Sequence, residues 1–195
     1  MTMQTWEQIN QWRKQQRDAL IERRMAVAPA DRKLWSERIT DGITQILTRK
    51  PATVLGFYWP FRGEYDARPV AEALHAQGMQ LALPVVLRMK APLEFRSWQP
   101  GARLASGVWG IPIPADGEVV WPDVLLVPLV GFDRRGFRLG YGGGFYDRTL
   151  AAMPRRPATL GVGFALGLLE TIYPQQHDIP MDVVITEHQG TLERP

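Results

Sequence analysis

The chain has no cysteine among its 195 residues. That excludes disulfides, thiolate metal sites and a cysteine nucleophile, and it gives no hint of an oxidising compartment. It has only three histidines, and no catalytic triad is evident; the adjacent pair His177-Asp178 reads as a loop hydrogen bond. No apolar run approaches the ~20 residues that cross a bilayer. The first twenty residues are polar and charged, so no signal peptide is expected. Charge of one sign is not in large excess either. The 23 Lys/Arg against 20 Asp/Glu leave a net +3. Residues 1–50 hold ten basic against six acidic residues, a balance of +4, and the remainder holds thirteen against fourteen, a balance of −1. That excess is too small to argue for nucleic acid. It suits a solvated helix face, with a few charges available to a small anionic ligand. A monomeric cytoplasmic protein with no membrane partner is the expectation, and the length suits one domain.

Residues 4–27 read as a helix with Trp6, Ile9, Leu20, Ile21 and Met25 set among charges. A second helix starts at Pro29, where a missing N–H costs nothing, and carries a stripe through Leu34, Ile39, Ile43, Ile46 and Leu47. After Lys50-Pro51 the pattern changes to short apolar runs. "TVLGFYW" (53–59), "QLALPVV" (80–86), "VLLVPLV" (124–130), "ATLGVGF" (158–164) and "DVVIT" (182–186) are candidate strands. Helical stretches fall around 67–77 and 145–153. Continuous apolar strands alternating with helices indicate a mostly parallel sheet covered on both faces. "LEFRSW" (93–98) alternates and reads as an edge strand or hairpin, and 99–117 reads as a long connection. The expected fold is α/β, a three-layer α/β/α arrangement, Rossmann-like without a dinucleotide fingerprint.

One stretch departs from ordinary packing. "RLGYGGGFYDR" (138–148) places four glycines in five positions, and glycine loses the most backbone entropy on folding. It follows a candidate strand and precedes a candidate helix, where open α/β sheets bind ligands. Glycines let phosphate oxygens approach backbone N–H groups directly, and a helix start near Gly144 favours an anion. Arg138 or Arg148 would add charge-assisted bonds. Asp147 suits the Mg²⁺ that accompanies a polyphosphate. A tight turn or close helix–strand packing is the plainer alternative. Two familiar motifs fail: no Lys-Ser or Lys-Thr pair completes a Walker A loop. The pattern G-x-G-x-x-G would need glycine at Phe145, or at Leu166 when counted from Gly161.

The segment "GFDRRGFRLGYGGGFYDR" (131–148) resembles the signature of the 5-formyltetrahydrofolate cyclo-ligase family. The resemblance extends through "RDALIERRMAVAPADRKLWSERI" (17–39), "FYWPFRGEYDARPV" (57–70), "GIPIP" (110–114) and "HDIPMDVVITE" (177–187). It implies a single cyclo-ligase domain over 1–195, with 1–50 as N-terminal helices on an α/β core. It also implies ATP- and Mg²⁺-dependent cyclisation of 5-formyltetrahydrofolate to 5,10-methenyltetrahydrofolate, releasing ADP and phosphate. The alternative is a nucleotide- or folate-binding relative with another substrate or no turnover.

Carried over by position, the resemblance implies that Arg138, Leu139, Gly140, Tyr141, Gly142, Gly143, Gly144, Phe145 and Tyr146 form the nucleotide loop. Tyr141 to Phe145 would also touch the folate. Arg17 would lie near both phosphate and substrate, and either Arg13 or Lys14 would take a second phosphate-binding role. Glu64 would hydrogen-bond the pterin, and Trp59 would contact substrate. Asp147 and Asp182 would be the metal ligands. Phe145 stands where the family commonly has tyrosine, and Ile113 where many members have glutamate. Met89 falls where the family lines its substrate pocket.

Overall fold

A computed structural model describes residues 5–49, 52–188 and 192–193. Helix α1 (Trp6–Met25) opens on a capping box in which Thr5 and Gln8 exchange side-chain and backbone hydrogen bonds. Helix α2 (Pro29–Arg49) starts at its proline. There follow β1 (Val54–Gly56), α3 (Arg68–Ala76), β2 (Gln80–Val85), β3 (Glu94–Trp98), β4 (Leu104–Ser106) and β5 (Pro112–Pro114). The chain continues through β6 (Val124–Pro128), β7 (Gly131–Phe132), β8 (Arg138–Leu139), α4 (Phe145–Ala152), β9 (Ala158–Val162), β10 (Val183–Ile185) and β11 (Leu192–Glu193).

Seven strands form one sheet in the order β11-β10-β9-β6-β1-β2-β3. The inner five are parallel, and β3 and β11 close the edges antiparallel. This is the expected α/β fold with a mostly parallel central sheet. Alternate strand residues face opposite layers. Leu55, Leu81, Leu83, Leu126 and Leu160 pack with Ile39 and Ile43 of α2 and Val70 and Leu74 of α3. Leu125, Val127 and Val184 pack with Leu150 of α4. Helix α1 stands apart from both layers: Leu20 and Ile21 pack on Val130, Leu166 and Leu169, beyond the sheet.

The sequence reading needs two amendments here. The connection 99–117 is not plain coil: β4 and β5 pair as a hairpin around a 3₁₀ turn at Val108–Gly110. The segment after β6 makes a second hairpin, β7–β8, which delivers the glycine stretch. Both were hidden because strands of two or three residues carry no readable alternation.

The connections reverse direction between β1 and β6. The first parallel connection leads from β1 outward to β2, and the later ones from β6 outward to β9 and β10. Such a switch point leaves a crevice at the carboxyl ends of the two strands.

Candidate active site

The crevice is occupied by a cavity of about 850 Å³. The segments after β1 (Tyr58, Trp59) and at the end of β6 (Pro128) form its floor, with Leu139 through Arg148 on one side. Trp6, Arg13 and Arg17 of α1 roof it, and Trp109, Ile111 and Ile113 reach it from the β4–β5 hairpin.

The glycine stretch takes the form expected of a close-approach loop. Gly142 and Gly144 adopt φ of +88° and +63°, backbone that side chains rarely tolerate. Gly144 occupies the N-cap of α4 with no side-chain cap, so the first N–H groups of the helix are open to a ligand. Arg17 Nε donates to the Gly140 carbonyl at 2.6 Å, and its guanidinium lies against Gly142. Burial pulls the Arg17 guanidinium below its usual range. Arg148 Nη1 donates to the Gly143 carbonyl at 2.5 Å, bracing the loop from the helix side.

Arg13 and Lys14 separate clearly. Arg13 lines the cavity, donates through Nε to the Ile172 carbonyl at 2.9 Å and pairs with Asp178. Lys14 is 77% exposed and, among the described residues, pairs only with Asp18, at 3.8 Å. Asp178 is thus more than a partner for His177: it holds Arg13 and also accepts from the Gln175 N–H at 2.7 Å.

Arg138 is buried, and two of its contacts are internal. Its Nη1 donates to the Ile179 carbonyl at 2.6 Å and its Nη2 to Asp147 Oδ1 at 3.0 Å. The same Oδ1 accepts from the Ile179 N–H at 2.9 Å, while Oδ2 makes no hydrogen bond among the described residues. One oxygen of Asp147 is therefore structural and the other is available at the cavity.

Asp182 requires a correction. It lies just before β10, and Oδ2 accepts from the Thr159 N–H and hydroxyl, both at 2.8 Å. Oδ1 accepts from Arg156 at 3.1 Å. Thr159 belongs to the amino-terminal end of β9, and Asp182 does not line the cavity that Asp147 faces. Asp123 does the same job before β6, accepting from the N–H groups of Thr53 and Val54. The structure gives Asp182 a strand-end role and does not bring it to Asp147.

Trp59 lines the cavity beneath Arg68, whose guanidinium lies 4.9 Å from its ring centre. Ile113 lines it too, whereas Met89 is exposed and does not. Glu64 is 8% exposed and stands behind Tyr58, Tyr141 and Tyr146 rather than lining the wall itself. Its Oε2 accepts from the Phe61 N–H at 2.9 Å. Its Oε1 is buried and makes no hydrogen bond among the described residues. Burial pushes the carboxyl up to about 7, against the opposing pull of the Arg24 guanidinium.

Comparison with known proteins shows the family of the chain. The model of the 5-formyltetrahydrofolate cyclo-ligase family matches residues 9–187. The chain belongs to that family. It is 35% identical over 176 residues to the 5-formyltetrahydrofolate cyclo-ligase of Escherichia coli K12, covering 85% of this chain and 94% of that one. It is 31% identical to the Mycolicibacterium smegmatis enzyme of the same name, over 91% and 95% of the two chains. The solution structure of Aquifex aeolicus 5,10-methenyltetrahydrofolate synthetase superposes with a TM-score of 0.80 at 28% identity, over 93% and 92% of the chains. The matched span includes both the glycine loop and Glu64.

Arg24 was not singled out in the sequence. It lies seven residues after Arg17 and next to the buried pair Leu20 and Ile21 in helical projection, so the face was legible even though the role was not.

Proposed function

We propose that the chain is a cytoplasmic, monomeric, single-domain enzyme. It would convert 5-formyltetrahydrofolate and ATP into 5,10-methenyltetrahydrofolate, ADP and phosphate. The observation that carries this reading is the buried Oε1 of Glu64, without a hydrogen bond among the described residues, directly behind the tyrosines that line the cavity together with the glycine loop. Buried acceptors normally have a donor. A pterin offers a ring N–H and an exocyclic amino group side by side, which a carboxylate accepts as a fork.

The formyl oxygen is a poor leaving group until it is phosphorylated. Its attack on the γ-phosphorus displaces ADP, and N10 then attacks the formyl carbon. The N10 proton is lost and the C–O bond breaks, with phosphate carrying the oxygen away. No protein nucleophile is needed. Positioning and charge stabilisation supply the catalysis.

The chain's residues divide that work. The loop N–H groups of Gly140 to Gly144 and the start of α4 hold the phosphates, with Arg17 and Arg13 neutralising them. Trp59, Tyr141 and Phe145 bound a slot that keeps water from the activated formyl group. Among the described residues, no cluster of three His, Asp or Glu could cage a metal. The free Oδ2 of Asp147 does fit Mg²⁺, which commonly takes one or two carboxylates and completes its shell with phosphate oxygens and water. Asp147 would hold Mg²⁺ there, and the metal would supply neutralisation of phosphate charge. Arg138 holds Asp147 in place.

Replacing Glu64 tests the assignment. Glu64→Gln turns one acceptor of the fork into a donor, so 5-formyltetrahydrofolate affinity is expected to fall about tenfold or more. Mg-ATP affinity is expected to stay within roughly threefold, a change of less than 1 kcal/mol. Calorimetric titration of both ligands checks this, and an equal loss of both, or of neither, contradicts the pterin assignment.

A further inference from the structure

We propose that Arg24 is a positioning residue for the Glu64 carboxylate, tying the Glu64 turn, the end of β6 and the glycine loop into one unit. This rests on the assignment of Glu64 to the pterin. Arg24 lies on α1, is 3% exposed and touches three separate segments. Its Nε donates to the Arg62 carbonyl at 3.1 Å and its Nη1 to the Leu129 carbonyl at 3.2 Å. Its Nη2 donates to the Tyr141 hydroxyl at 2.7 Å. The Tyr141 hydroxyl in turn donates to the Phe61 carbonyl at 3.2 Å, so the same turn is held twice.

The turn needs holding. Arg62 and Gly63 adopt consecutive left-handed conformations, φ +47° and +74°. For Arg62 that geometry is strained and persists only where surroundings enforce it. Arg32 of α2 completes the clamp: its Nη1 donates to the Gly63 carbonyl at 2.6 Å and its Nη2 to the Arg24 carbonyl at 2.6 Å. Two helices thus fix the loop from which Glu64 projects.

The charge of Arg24 is the second argument. Hydrogen bonding to carbonyls and a hydroxyl does not require a charge, and burying a cation without an anion is costly. No carboxylate lies within salt-bridge distance of Arg24 among the described residues, yet its field reaches Glu64. The other titratable groups facing Glu64 are Tyr58, Tyr141 and Tyr146, each held neutral in part by that carboxylate. Arg24 is therefore the cation positioned to favour the ionised carboxylate that the two pterin donors require. Folate binding completes the charge compensation that the free site lacks.

The test uses the whole protein, titrated calorimetrically with 5-formyltetrahydrofolate from about pH 6 to about pH 8.5, a range bracketing the raised carboxyl. Arg24→Gln keeps two N–H donors but removes the charge, and Arg24→Lys keeps charge but loses the fork. Arg24→Gln is expected to weaken folate binding about tenfold near pH 7 and to move the pH midpoint of that affinity upward by roughly one unit. Arg24→Lys is expected to bind more weakly than wild type with its midpoint in place, and Mg-ATP affinity is expected to hold within about threefold in both. A folded Arg24→Gln protein with the wild-type affinity and midpoint overturns the proposal. If Arg24→Gln fails to fold, Tyr141→Phe decides, since it removes the two hydroxyl bonds to Arg24 and Phe61 from the same joint and leaves the charge. Weaker folate binding at an unmoved midpoint supports the proposal, and unchanged affinity overturns it. A wild type that binds no folate overturns the proposed function and this inference together, whereas folate-binding wild type with unresponsive variants overturns only the inference.

Discussion

At the scale of single residues, the proposed chemistry rests on two carboxylates, which differ in the way their surroundings dictate. Asp147 keeps one oxygen fixed by Arg138 and the Ile179 N–H and leaves the other free. Asp147→Asn preserves an acceptor for both donors but removes the anion that a hard cation prefers. Turnover is expected to drop at least ~10²-fold while the melting temperature changes little, the scale seen when one preorganised electrostatic group is lost. Steady-state rates and a thermal melt check it, and unchanged turnover contradicts the metal role. Glu64 is the buried one, and burial raises its carboxyl to about 7. Pterin donors favour the ionised form, so the bound carboxyl has a lower pKa than the free one. Binding therefore releases protons near neutrality, and folate affinity is expected to rise between about pH 6 and about pH 8 and then level off. Titrations in buffers of different ionisation enthalpy would show the release; flat affinity across that range contradicts it.

At the scale of elements, legibility tracked length and repetition. Strands β1, β2, β6, β9 and β10 were readable because buried parallel strands are continuous apolar runs. Helix α2 was readable from its proline start and apolar stripe. The hairpins β4–β5 and β7–β8 were not, and Trp109 and Ile111 at the cavity rim come from the first of them. The glycine loop was plain from composition alone, since four glycines in five positions demand a reason. What sequence could not give is which carboxylates meet, because Asp147 and Asp182 are parted by the three-dimensional path of the β9 and β10 region. Asp182 bonds the Thr159 N–H and hydroxyl and Arg156 at the amino end of these strands. Asp182→Ala leaves those donors unpaired, so a loss of roughly 1–3 kcal/mol in stability is expected. The Mg²⁺ requirement is expected to stay as in wild type. Denaturant unfolding and a Mg²⁺ titration of activity check the two halves. A raised Mg²⁺ requirement at unchanged stability would return Asp182 to the metal.

At the scale of the molecule, the topology places the site. Reversal of the connections between β1 and β6 opens a crevice, and α1, lying outside both helical layers, roofs it with Arg13 and Arg17. The roof was foreseen only as two N-terminal helices on a core; that α1 crosses the strand ends while α2 joins a layer is a tertiary outcome no periodicity encodes. The central claim is that this single cavity brings ATP and the formyl group together. Mixing the protein with 5-formyltetrahydrofolate and Mg-ATP, and following the near-ultraviolet absorbance of the methenyl product, tests it most directly. The account predicts product in step with ADP release, and none when ATP or Mg²⁺ is withheld. ATP hydrolysis without methenyl product, or product formed without ATP, would contradict it.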